Sequence, residues 1–315
     1  MADFFFQSPE SVPASPEMSE AGRALDVIVC AGMYDDTEQN SVVTIPEGIL
    51  CVEENAFRNF VHLEEVHLPR SLQRIAACAF SGCKNLRSVD LPIGCREIGD
   101  EAFAFCPALP SIFLPDSVRR IGEGCFEGCA ALSRVRLSEA IEAIGSGAFA
   151  FCFNLRDVTI PDSCVLVEFN AFASCFSLEA VKLSDHMGLI DESTFEGCRS
   201  LTTVELPKRL KKIGRRAFKG CSKLTSLILP MGLLEIGFDA FASCTSLARI
   251  AIPKGVTEIE DRDIFGGCDR LAEISFGGSA EEWELLNGGK TMTIERSDCS
   301  LVTPKITILD LKQNG

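Results

Sequence analysis

Aromatic residues other than phenylalanine are nearly missing: the 315 residues contain one Trp and one Tyr. Three His are too few for a His-rich metal or acid–base site. No run of 18 apolar residues occurs, so no segment is long enough to insert across a membrane as a helix. Bases are outnumbered, with Lys+Arg 30 against Asp+Glu 45 and a net charge of −15. A chain this acidic grips phosphate backbones poorly, and no nucleic-acid partner is expected. G-x-S-x-G and H-E-x-x-H are absent, as is any N-x-[ST] sequon. Asn287-Gly288-Gly289-Lys290-Thr291 approaches a phosphate-binding loop, but the first Gly of that motif would be Glu284. No cofactor and no metal are implied.

What is abundant is Phe, at 22 residues, and Cys, at 16. Both are periodic. Phe57, Phe80, Phe103, Phe126, Phe149, Phe172, Phe195, Phe218 and Phe241 follow one another at intervals of 23. Phe265 comes at 24, which places one inserted residue near Asp263. Three positions after each Phe stands a Cys (Cys83, Cys106, Cys129 and onward to Cys268), with Phe60 in that slot of the first repeat. Three further on stands Leu, beginning with Leu63 and ending with Leu271. Several columns held in phase over about ten copies are the signature of a repeat array.

Each unit reads as LxxVxLPxxLxxIGxxAFxGCxx. The V-x-L triplet alternates apolar and polar residues, the pattern of a half-buried strand. Pro or Ser follows, and Pro lacks the N–H that a ladder needs. The Ile-Gly step (Ile98-Gly99, Ile121-Gly122, Ile144-Gly145) reads as a turn, where Gly tolerates positive φ. Ala-Phe-x-x-Cys reads as a helical or 3₁₀ turn with Phe inward. One unit cannot bury its own apolar side; stacked units share a continuous core.

This unit, with its I-G-x-x-A-F-x-G-C-x-x-L run, resembles the BspA-like, or Treponema pallidum-type, branch of the leucine-rich repeat superfamily. Phe276-Gly277-Gly278-Ser279-Ala280-Glu281-Glu282-Trp283 is similar to the G-[ST]-x-x-E-W cap of such arrays. The resemblance implies an α/β repeat fold. That fold is a right-handed solenoid of about ten 23-residue repeats, with a parallel β-sheet face and short helical or 3₁₀ turns. It divides the chain into an acidic segment and cap over 1–42, the solenoid over 43–276 and a C-terminal cap over 277–315. A last strand or two is expected near Met292 to Ile294 and near Ile306 to Leu309. The Asn ladder of the common consensus is not expected, since its slot holds Gly94, Ser117, Ala140, Ser163 and His186.

The cysteines follow the same frame. Nine form the ladder column, Cys95 and Cys164 share a column with Leu72 and Val118, and Cys125 shares one with Ala102 and Ala148. Free Cys in such columns is a small buried hydrophobe. Neighbouring ladder members are close enough for a disulfide to be the rival reading. Cys30, Cys51, Cys78 and Cys299 lie outside the pattern. Cys78 has Arg74 four residues before it, while Cys51 precedes Glu53 and Glu54. His62, His67 and His186 fall in different repeats and pair with no Cys column; His62 reads as solvated.

Residues 1–42 hold eight acids against Arg23 alone, and 8–19 contain three Pro and read as a linker. The apolar stretch 25–30 is a candidate cap on the first repeat. Neither a basic n-region nor an apolar h-region stands at the start. The expectation is therefore a cytoplasmic location, with the cell surface by a non-signal route as the alternative.

Two functions are weighed. The first is a non-enzymatic module binding a protein or polysaccharide on the sheet face. The resemblance adds an adhesin-like role, common in bacteria for this branch. In each triplet the middle residue and the one before Val point away from the core. Phe113 beside Arg134 and Arg136 is the informative cluster, with Asp157 and Lys182 on the next two strands. An exposed aromatic beside two Arg has hot-spot chemistry. The alternative is a cysteine-dependent redox or metal-binding enzyme built from the four off-pattern cysteines, which would need a neighbour that lowers a thiol pKa.

Overall fold

In a computed structural model, which describes residues 28–260, 264–286, 288 and 292–309, a short strand begins just before the Val of each V-x-L triplet. The series begins with Val42–Thr44, Glu65–His67, Ser88–Val89, Ser111–Phe113 and Arg134–Arg136, and closes with Arg249–Ile252 and Glu273–Phe276. Within four groups, spanning 42–89, 111–136, 157–205 and 226–308, neighbouring repeats pair in parallel, as in Val43↔Val66 and Val181↔Val204. A strand at Lys305–Ile308 pairs in parallel with Glu273–Phe276, so the sheet face gains a member beyond the repeats. Parallel pairing needs a crossover, and the rest of each 23-residue unit supplies it.

The Ile-Gly step is not a turn. Arg74–Ile75, Glu97–Ile98, Arg120–Ile121 and Ala143–Ile144 are strands, and they pair with one another in parallel to form a second sheet. Its glycines do not have positive φ. A Cβ on Gly122 would lie 2.5 Å from the Asp100 nitrogen and 2.5 Å from the Gly99 carbonyl carbon. Gly is needed there because two backbones approach closely, not because the chain bends.

The Phe segment is not helical either. Among the described residues, the only helical elements are a 3₁₀ turn at Glu38–Asn40 and α1 at Ala280–Leu286. In the turn around Phe149, alternate amides serve different partners. Gly147, Phe149 and Phe151 donate to Phe169, Ala171 and Ala173 of the next turn, at 3.0, 2.8 and 2.8 Å. Ala148, Ala150 and Cys152 donate to Gly145, Gly147 and Phe149 of their own turn. The alternation forces positive φ two residues before and two after each ladder Phe from Phe57 to Phe241, as at Gly124 and Gly128 around Phe126. The turn is thus a third axial hydrogen-bond ladder.

The core is continuous. Ladder Phe rings stack at 5.0 Å (Phe57 on Phe80) to 5.9 Å (Phe241 on Phe265). The twelve buried cysteines are the twelve assigned to apolar columns, and all sixteen are free thiols. Each ladder thiol donates to the carbonyl of the preceding turn's Phe, as Cys129 does to Phe103 at 3.2 Å.

Both ends of the array are covered. Ile28–Val29 pairs in parallel with Cys51–Val52, which is the cap expected from 25–30; the residues before 28 lie outside the description. The Tyr34 ring packs 5.1 Å from Phe57. At the other end Ser279 begins α1 with a capping box: its Oγ accepts the Glu282 N–H at 3.2 Å, and Glu282 Oε2 accepts the Ser279 N–H at 2.8 Å. That box aims the buried Trp283 at Phe276, with ring centroids 5.3 Å apart. The insertion near Asp263, the acidic segment 1–27, and Asn287, Gly289, Lys290 and Thr291 lie outside the described residues.

Candidate functional site

Strand alternation places Phe113, Arg134, Arg136, Asp157 and Lys182 on the solvent side of the sheet. Phe113 is 53% exposed and sits directly opposite Arg136, as Ser111 sits opposite Arg134. Directly opposite side chains in a sheet are in contact range. Arg136 also reaches back to Asp116, 3.8 Å away, on the turn that follows the Phe113 strand. Among the described residues, no ion pair engages Arg134, Asp157 or Lys182. Lys182 lies opposite Thr159 on one side and Glu205 on the other. The face is therefore mixed in sign, with one aromatic and one unpaired guanidinium side by side.

The off-pattern cysteines do not converge. Burial pushes the Cys51 thiol up, and Arg74, its cross-strand neighbour, only partly offsets this. Cys78, which sequence spacing sets near Arg74, instead faces Glu101, with its Sγ 3.8 Å from Glu101 Oε2. Its thiol is raised by burial and then by that carboxylate. Burial and Glu53 raise Cys30. Cys299 is exposed. A reactive thiol needs the opposite shift. His62 is not free in solvent: its backbone N–H donates to Asp36 at 2.9 Å and its Nδ1 lies 3.4 Å from the same carboxylate. His186 Nδ1 lies 2.9 Å from the Asp162 carbonyl oxygen. Among the described residues, no group of three or more His, Cys, Asp or Glu side chains is placed to hold a metal ion.

Sequence reasoning missed a second surface, on the side of the Phe turns. Phe105, Phe151, Phe153, Phe169 and Phe176 all stand outside the Phe ladder, and four of them are exposed. Phe151 packs edge-on against Phe153 at 6.3 Å, Phe153 stacks on Phe176 at 4.9 Å, and the Arg199 guanidinium lies 4.5 Å from the Phe176 centroid. The available signal was the surplus of Phe over the ladder, concentrated in three repeats.

The sequence matches the family described as BspA type leucine rich repeat region, in six copies, over residues 50–179 and 165–285. A leucine-rich repeat protein from Bacteroides ovatus of known structure is 25% identical with a TM-score of 0.50, over 90% of this chain and 88% of that one. The pneumococcal vaccine antigen PcpA is 18% identical with a TM-score of 0.53, over 90% of this chain and 85% of that one, a likeness of fold. The T. pallidum leucine rich repeat protein is 28% identical with a TM-score of 0.46, over 62% of this chain and 82% of that one. No curated protein matches the chain.

Proposed function

Because this chain belongs to the BspA-type leucine-rich repeat family, we propose that it is a non-enzymatic interaction module that holds a protein or glycan ligand on its open sheet face. The observation that carries this reading is the juxtaposition of Phe113 and Arg136 in cross-strand register, with Arg134 unpaired beside them. Aromatic and Arg side chains dominate the energetics of interfaces. The mixed charge of Asp157 and Lys182 favours a polar protein or glycan surface over a uniformly charged polymer. An adhesin-like role is the specific form of this reading. The raised thiols of Cys30, Cys51 and Cys78 weigh against the alternative of a cysteine-dependent enzyme.

The test is ligand capture by the full chain on glycan arrays and against candidate proteins, repeated with Phe113→Ala/Arg136→Ala. That double variant should weaken any sheet-face ligand by more than about 2 kcal/mol. Undiminished binding by the variant ends the reading. For location we propose a reducing compartment, the cytoplasm, since the ladder thiols serve as hydrogen-bond donors and would lose the S–H on oxidation; the adhesin-like form goes with the alternative, the cell surface. Fractionation of native cells tests that placement.

A further inference from the structure

The aromatic surface on the Phe-turn side is a different place from the sheet face, and its chemistry is different. Phe105 and Phe151 occupy the column two residues after the ladder Phe, with φ of 55° and 60°. Elsewhere in this column stand Gly82, Gly128, Gly197, Gly220 and Gly267, with Asn59, Ser174 and Ser243, all at positive φ. A bulky side chain in the left-handed region costs about 1–3 kcal/mol. Burial offsets that cost only in part, since the two rings are 51% and 42% exposed. The eight other turns hold only Gly, Asn or Ser there, residues that are small or tolerate this region. Rings held out at a strained position have a use outside the core.

Phe151, Phe169 and Phe176 line a groove of about 480 Å³ that runs across five repeats. Four carboxylates share that lining: Glu101, Glu123, Glu127 and Glu196. Among the described residues, none of these four carboxylates is in an ion pair. Glu196 accepts a hydrogen bond from the Ser193 hydroxyl at 2.6 Å. Arg199, the groove's cation, is spent on the Phe176 face. Burial raises the Glu127 carboxyl, and Glu101 and Glu123 raise it further, so the groove holds uncompensated negative charge.

We propose that this groove docks a basic segment of a partner protein, with the stem of a Lys or Arg side chain along Phe151 and Phe169 and its charge among Glu101, Glu123 and Glu127. Two complementarities argue for that occupant. Lys and Arg carry an apolar stem and a charged head, which matches a surface of aromatic faces rimmed by carboxylates. Cations over aromatic faces gain further from the ring quadrupole. A neutral sugar would use the rings but leave the carboxylates unneutralised. The net charge of −15 steers a basic partner toward the molecule as a whole.

The experiment uses the full chain and a labelled nonapeptide of alternating Lys and Gly, read by fluorescence anisotropy. Binding should be saturable and should weaken as salt is added. Phe151→Gly should weaken it about tenfold or more. Gly suits the φ at that position, so the variant keeps its fold, which thermal melting confirms. Glu123→Gln/Glu127→Gln should weaken it to a similar extent. Glu64→Gln/Glu65→Gln, which removes the same charge elsewhere, should leave it unchanged, as should Phe113→Ala/Arg136→Ala. This last pair separates the groove from the sheet-face reading, which stands or falls on its own ligand. The proposal is overturned by absence of saturable binding, or by equal losses from the groove and control charge variants. Binding of a cello-oligosaccharide in the groove with no response to the peptide overturns it as well.

Discussion

The Cys175 thiol donates a hydrogen bond to the carbonyl oxygen of Phe149, 3.2 Å away in the preceding turn. The same oxygen already accepts the N–H of Cys152 from its own turn, at 3.3 Å. The ladder cysteine therefore does more than fill volume: it ties one turn to the one before it through a buried acceptor. Cys175→Ala removes the donor and leaves a small void, and should cost about 1–3 kcal/mol. Cys299→Ala, at an exposed thiol, should cost under about 0.5 kcal/mol. Urea titration of the two variants checks the difference.

The same burial makes stability fall at alkaline pH. Burial pushes the Cys95 and Cys164 thiols up to about 11 and the Cys198 thiol up to about 12, from an ordinary 9.0. An unfolded thiol releases its proton near 9, while the folded one holds it. The contribution of these thiols is therefore fully present below pH 9 and is lost as pH rises from 9 through 11 to 12. The slope is about 1.4 kcal/mol per pH unit for each such thiol. Denaturant titrations across that window should show the decline, and Cys198→Ala should reduce it by about one proton per molecule. A flat profile to pH 11 would contradict the burial of Cys95 and Cys164.

Phe149 is fully buried between Phe126 and Phe172, with both ring centroids 5.3 Å away. Phe149→Ala should cost about 3–5 kcal/mol through lost transfer energy and the cavity left behind. Phe113→Ala, on the open face, should cost under about 1 kcal/mol. Equal shifts of the denaturation midpoint in the two variants would refute the inside–outside assignment.

Gly122 and Gly188 separate two uses of glycine. A Cβ on Gly122 meets backbone at 2.5 Å, whereas one on Gly188 meets nothing within 4 Å. Gly122→Ala must push two turns apart and should cost about 1–3 kcal/mol. Gly188→Ala should be neutral or stabilise by up to about 1 kcal/mol, because it narrows the unfolded ensemble. Thermal melts of the pair decide the point.

The columns of the repeat made the core legible, because a position buried in one turn is buried in the next. Strand alternation likewise set Phe113 and Arg136 on one face, opposite each other. Three things were out of reach. The strands at Arg74–Ile75 and its equivalents are two residues long, too short for any period, and their partners lie 23 residues away. The Phe turn looks helical locally because half its amides do bond three residues back; the other half leave for the next turn. The Arg136–Asp116 contact joins a strand to the turn after its neighbour, which alternation cannot see. The groove was hidden for a related reason. Its rings come from three columns in successive turns, and they meet only when those turns are stacked.

Because the chain has one Tyr and one Trp, the placement of Tyr34 against Phe57 and Trp283 against Phe276 puts the two intrinsic fluorophores at opposite ends of the array. The molecule carries its own pair of end-specific optical reporters. Ladder interactions in a solenoid link nearest neighbours, so opening can begin at either end. Selective excitation of Trp283 then follows the C-terminal cap alone, and Tyr34 emission follows the N-terminal turn. Separate midpoints for the two signals would give the direction in which the stack unzips; coincident midpoints would make the whole array one cooperative unit.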